Sequence, residues 1–209
     1  MTVIPVSHHN LLDESTLYPE ECTIENTKEV TALLEAYGVP VYLSGHLHLQ
    51  RIKKHTSNLN TPGGYGIREI VTSPLPMAPC QYSILNWQTD GSLSYHTKKV
   101  DIAGWAQRYG EEDENLLNFD AYADQFLVDV ISKQAFKALQ SASKDIKEEM
   151  ARLYADMNRD YCSGTKIDVA KIRKARHIST GSVIAAMISG WQGCRRSCTM
   201  PGRTTRCWS

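Results

Sequence analysis

Val39-Pro40-Val41-Tyr42-Leu43-Ser44-Gly45-His46-Leu47-His48 is the stretch on which the reading of this chain turns. The apolar run VPVYL, with its β-branched and aromatic side chains, predicts a strand. It passes without a linker into Ser-Gly-His-x-His. Upstream, Ile24, Val30, Leu33, Leu34 and Tyr37 fall near one face of a helix over Ile24 to Tyr37, with Thr23 or Asn26 to cap it and Gly38 to stop it. Earlier still, the β-rich run TVIPVS (residues 2–7) ends directly in His8-His9-Asn10. Strand, helix, strand, with polar chemistry at the strand ends, predicts a layered core of helices and strands with its functional groups on the loops.

Downstream, residues 53–66 (KKHTSNLNTPGGYG) are polar and rich in Gly, Asn and Pro, which predicts a loop. Ile67 to Thr72, Gln81 to Trp87 and Ser92 to Val100 read as strands, the last two joined by a Thr89-Asp90-Gly91 hairpin turn. From Leu116 to Met157 the period becomes helical. Phe119, Tyr122, Phe126, Val130, Phe136 and Leu139 mark a core-facing stripe on a first helix, and Ile146, Met150, Leu153 and Met157 mark one on a second. Gly164 breaks the run, and Lys166 to Ala175 opens a third helix. Strands followed by helices place the chain in the α+β class.

At 209 residues the chain suits one domain, or one with an appendage, and is long enough to bury a core. No apolar run reaches about 18 residues, so no membrane span is expected. Residues 1–10 are too short and polar for a signal peptide, so the compartment, cytoplasmic or cell-surface, is not legible there. The formal charge of zero hides an asymmetry. Every Asp and Glu lies at or before Asp168, whereas residues 169–209 carry eight basic side chains, which leaves the preceding part at −8. Cys194, Cys198 and Cys207 crowd that same tail, in a spacing that lacks the four ligands of a zinc knuckle. Residues 176–209 have no period and no acid. Their surplus of Arg, Cys, Ser and Gly has the character of out-of-frame translation beginning near Ala175 or Arg176. With no recognition helix or motif in the tail, a nucleic-acid polymer is not an expected partner. Cys22, Cys80 and Cys162 stand singly, as buried thiols do.

Three histidines follow strands: His8, His46 and His48. A lone histidine usually is an ordinary core or surface residue. In a loop after a strand, however, Gly-His-x-His can aim two imidazoles at neighbouring metal ions, with Gly45 allowing the tight turn. Imidazole suits Fe, Mn and Zn alike, so the metal is not specified.

SHHN (7–10), SGHLHLQ (44–50), GIREIVTSPLPMAPCQYSILNW (66–87) and DGSLSYHTKKVDIAGWA (90–106) together resemble the C-terminal half of calcineurin-like metallophosphoesterases, in the bacterial branch with an added helical C-terminal domain. The resemblance covers residues 1–175. It implies part of a β-sandwich with flanking helices over residues 1–101, a helical domain over 102–175, and an aberrant tail over 176–209. It further implies a site for two metal ions (Mn, Fe or Zn) and hydrolysis of phosphomonoesters or phosphodiesters, cyclic nucleotides among them. On the same basis His8 and His46 would bind one ion and His48 the other. His9 would approach the substrate phosphate as a catalytic residue, or stand behind the ligands. Asn10 replaces the usual Pro, a change bearing on loop shape.

The family's earlier motifs, D-x-H, G-D-x-x-D and G-N-H-D/E, do not occur in this sequence. They would supply the carboxylate that bridges the two ions. Three neutral imidazoles without it are expected to hold at most one ion weakly, and the chain to be inactive alone unless an N-terminal half is supplied in trans. The rival expectations are a non-catalytic remnant that binds a partner through its helical domain, and a single-metal binder using His8, His46 and His48. Among other features, Asp13 and Glu14 read as solvated loop and GGYG (63–66) as a flexible turn. His55 and His96 read as surface residues, and Tyr82, Trp87 and Trp105 as packing.

Overall fold

The computed structural model describes residues 3–12, 22–55, 66–139 and 142–166. The fold is α+β. Its described elements run α1 (Thr27–Ala36), β1 (Val41–Ser44), β2 (Arg51–Lys54), β3 (Arg68–Val71), β4 (Gln81–Trp87), β5 (Leu93–Lys99), α2 (Ile102–Tyr109), α3 (Glu114–Leu117), α4 (Phe119–Ala138) and α5 (Lys144–Ser163). They fall into two compact units. The first joins residues 1–124 to 159–166, and the described part of the second is 125–139 with 142–158.

In the first unit a three-stranded sheet has the order β1-β3-β2, with β3 parallel to β1 and antiparallel to β2. The N-terminal run makes only an isolated bridge, Val6 to Leu43, rather than the expected strand, because Pro5 and the polar residues from Ser7 onward interrupt it. β2 lies where a loop was expected. Its sequence RIKK carries one apolar residue, and its lysines suit the exposed edge it occupies. α1 covers the sheet through Val30 and Leu34, which pack with Ile24 against Leu11, Leu12, Tyr42 and Ile67. Leu33 and Tyr37, placed on that face by periodicity, point to solvent. Asn26 stands at the helix cap without a side-chain bond, and the Thr27 hydroxyl donates instead to the Leu11 carbonyl at 2.6 Å. Gly38, at φ +64°, ends the helix as expected.

β4 and β5 form the expected hairpin, paired from Gln81–Lys99 to Trp87–Leu93. Gly91, at φ +83°, supplies the left-handed turn residue. Tyr82, Trp87 and Trp105 are more open to solvent than core packing would leave them. α2, unread in the sequence, is capped by the Asp101 carboxylate, which accepts from the Gly104 amide at 2.9 Å.

In the second unit, Met150 and Leu153 form a core with Leu139, Ile146 and Met157, the stripe expected of α5. α4 departs from expectation. Its buried residues are Leu127 and Ile131, one turn apart, whereas Val130 and Phe136 of the expected stripe are exposed. Periodicity finds an apolar face but does not say which side of it is covered. No helix among the described residues is long and apolar enough to cross a membrane. Cys22, Cys80 and Cys162 are buried thiols. The third helix, the basic tail, Asp13, Glu14 and residues 63–65 lie outside the described residues.

Candidate metal centre

Residues 5–8 run beside the end of β1. Leu43 N donates to Pro5 O, Ser7 N to Leu43 O, and Gly45 N to His8 O, at 3.0, 3.0 and 3.1 Å. This parallel run sets His8 beside Gly45-His46, although 38 residues separate the two histidines. His8 Nε2 and His46 Nδ1 are 3.0 Å apart. The His9 ring joins them, with centroids 5.1 Å from His8 and 4.4 Å from His46. The His9 backbone is tethered in turn. Tyr42 of β1 donates its hydroxyl to Ser7 Oγ at 2.8 Å, and Ser7 Oγ donates to the His9 carbonyl.

The turn after β1 is made differently from the sequence expectation. Gly45 is not in the left-handed region, and a Cβ there would meet nothing nearer than the His8 carbonyl at 3.9 Å. The left-handed residues are His46 and His48, at φ +60° and +56°. Side chains resist that conformation, by about 1–2 kcal/mol each. Leu47 and Leu49, both buried, alternate with the histidines and pin the loop, and Cys162 Sγ donates to the His48 carbonyl at 3.2 Å. His48 is half-buried, and its pKa is lowered, first by burial and then by the positive charge His8 can carry. Both influences favour the neutral form of its imidazole.

Two imidazole nitrogens on one tetrahedral ion, each about 2.0–2.1 Å from it, stand about 3.3 Å apart. The His8–His46 spacing is close to that bite, so the pair fits as two ligands of one ion. Among the described residues no three His, Cys, Asp or Glu side chains are grouped as a ligand set. His48 shares the loop without completing such a set. His55 is half-buried and meets Glu35 at 2.9 Å, and His96 is exposed.

Two residues behind the histidines went unread in the sequence. Glu69, in the middle of β3, is 0% exposed. Its carboxylate accepts from the Leu11 amide at 2.6 Å, the Leu12 amide at 2.7 Å and the Ser44 hydroxyl at 2.7 Å, with Asn10 Nδ2 at 3.4 Å. Asn10, also fully buried, donates to Ser44 Oγ at 3.1 Å, and its Oδ1 meets no partner among the described residues. An acid inside the apolar run Ile67-Arg68-Glu69-Ile70-Val71 is the signal that could have found this arrangement.

Residues 101–180 match the family model of the C-terminal domain of cyclic nucleotide phosphodiesterase. No curated protein sequence matches the chain. The likeness to a phosphodiesterase domain is thus confined to residues 101–180, less than half of the chain.

Proposed function

We propose that this chain carries part of the metal site of a calcineurin-like phosphodiesterase, with His8 and His46 as ligands of one ion. The observation that supports this reading best is the pair of imidazole nitrogens 3.0 Å apart at the end of β1, held there by backbone hydrogen bonds rather than by side-chain packing alone. The match of residues 101–180 supports a phosphodiester, such as a cyclic nucleotide, as the substrate class of this reading. A bound ion in such a site activates water and offsets the charge on the phosphoryl oxygens. His8 Nε2 and His46 Nδ1 hold it. His9, exposed beside both rings, is free to meet a substrate oxygen, and His48 stands in the same loop as His46. Among the described residues no carboxylate is grouped with these imidazoles, and on this reading the chain holds one ion at most and turns over no substrate alone.

Equilibrium dialysis against Mn²⁺ or Zn²⁺ tests this. The expected result is at most one ion per chain, lost in His8→Ala and His46→Ala, with hydrolysis of a chromogenic phosphodiester no faster than the metal blank. Equal metal retention by the two variants would overturn the assignment, and turnover by the wild-type chain alone would overturn the incompleteness.

A second reading, a non-catalytic binding module, is favoured by the exposure of Val130 and Phe136 on α4. It predicts a chain that holds no ion but sediments faster with rising concentration, an effect removed by Val130→Glu with Phe136→Glu.

A further inference from the structure

We propose that Glu69 is the positioning residue of the histidine pair, a buried carboxylate that clamps the two histidine-bearing loops to one strand and so sets the distance from His8 to His46. The role as a metal support rests on the ligand reading above; the clamp itself stands on the hydrogen bonds. A carboxylate with no exposed surface is tolerated only where it is well hydrogen-bonded. Among the described residues no Lys, Arg or His forms an ion pair with Glu69. Its compensation comes from two successive backbone amides, Leu11 and Leu12, and from the Ser44 hydroxyl. Leu11 lies three residues after His8, and Ser44 lies two before His46. One rigid group on the central strand of the sheet therefore holds both arms of the pair. Asn10 cross-braces them by donating to Ser44 Oγ and Glu69.

The arrangement is more than the fold requires. A well-packed apolar side chain at position 69 would complete the strand without burying charge, and such replacements are often neutral or stabilising. What it could not do is accept from both amides at once. The two-oxygen acceptor is what fixes the loop after His8 against the end of β1. Loss of a group hydrogen-bonded directly to a metal ligand typically costs about 10–100-fold in metal affinity. Glu69 acts one step further out, through the backbone beside the ligands, so the lower end, about tenfold, is the expectation.

The test compares the full chain with Glu69→Gln, Glu69→Met and Ser44→Ala, with folding of each checked by circular dichroism and thermal melting. Gln offers one acceptor oxygen where two are needed, and Met offers none. In the metal-free protein the expected result for Glu69→Gln is exchange of the Leu11 or Leu12 amide at least about tenfold faster. The nuclear Overhauser contact between the His8 and His46 rings should also weaken. Co²⁺ is the metal probe. Its affinity is expected to fall about tenfold or more in Glu69→Gln, further in Glu69→Met and least in Ser44→Ala, with a changed visible absorption band. Folded Glu69 variants that keep wild-type exchange, ring contact and Co²⁺ spectrum would overturn the proposal. If the wild-type chain binds no Co²⁺, the ligand reading fails, and exchange and ring contact alone decide whether Glu69 is the clamp. If every Glu69 variant fails to fold, Ser44→Ala, which removes one of the bonds, decides in its place.

Discussion

Replacing His46 by glycine should leave the protein more stable than replacing it by alanine, the reverse of the usual order. Both substitutions remove the same imidazole and the same contact with His8, so their difference isolates the backbone. At φ +60° a Cβ is strained by about 1–2 kcal/mol, and glycine is not. Glycine gives back about 0.5–1 kcal/mol through the greater freedom of its unfolded chain. The net expectation is that His46→Gly is more stable than His46→Ala by up to about 1 kcal/mol. With a urea slope of about 2–3 kcal/mol/M, that is a midpoint difference of up to about 0.5 M. His48, at φ +56°, should behave the same way. Gly45 supplies the internal control. It is not left-handed, and its Cβ would make only an ordinary contact, so Gly45→Ala should be neutral or slightly stabilising. Urea melts of the five variants, monitored by tryptophan fluorescence, read all three positions. If alanine equals or exceeds glycine at 46 and 48, the loop is not left-handed there. If Gly45→Ala costs more than about 1 kcal/mol, the turn resides in Gly45 after all.

Adjacent residues of α4 should differ sharply: Ile131→Ala costs about 2–5 kcal/mol, whereas Val130→Ala costs under about 1 kcal/mol, measured by urea denaturation. The Cys80 thiol is pushed up, chiefly by burial and then by the negative charge of Asp120, with Lys99 opposing. Its alkylation by iodoacetamide should be slow at pH 8 and should accelerate only above the ordinary thiol range, as read by mass spectrometry of the labelled peptide. Asp90 is held below its usual value by bonds from Ser92, so the hairpin bond from the Ser92 amide persists above the ordinary carboxylate range and is lost as pH falls through the lowered value. Protection of that amide in acid titration by NMR checks the sign, and Asp90→Asn should remove the pH dependence.

The parts of the fold that sequence made legible are those where a local rule decides. Apolar runs interrupted by Gly-rich turns gave β3, β4 and β5, and Gly38 and Gly164 mark the ends of α1 and α5. β2 was hidden because an exposed edge needs no apolar alternation, and RIKK shows none. The α4 stripe was misplaced because periodicity reports composition around a helix, while burial is decided by what packs on it. At the site, the histidines were visible as residue types, and their meeting follows from a parallel run of backbone that no spacing rule encodes. The turn was credited to Gly45, since glycine is the usual left-handed residue, yet two histidines carry it.

Those exceptions are themselves informative. Among the described residues, three other than glycine have positive φ: His46, His48 and Cys80. Cys80 closes a short turn, its amide donating to the Met77 carbonyl at 2.7 Å, which accounts for it locally. At His46 the Leu47 amide donates to the Gly45 carbonyl at 2.6 Å and closes a tight turn, whereas no such bond spans His48 among the described residues; the two histidines flank a single buried leucine. Beside these loops stand a fully buried carboxylate on β3, a buried amide oxygen without a partner among the described residues, and two imidazole nitrogens 3.0 Å apart. The strained backbone, the buried carboxylate and the unpartnered oxygen are each unfavourable taken singly, whereas the imidazole pair is at hydrogen-bond distance. Errors of folding economy accumulated at random would be spread along the chain. On the proposed reading, their grouping near His8 and His46 reflects a need to hold the imidazoles in place, while Thr31 Oγ1 in α1 is a buried atom without a partner among the described residues that lies outside the group. Glu69 is the deciding residue: if Glu69→Met folds and leaves the His8–His46 contact undisturbed, the buried carboxylate serves no site, and the grouping of exceptions loses its centre.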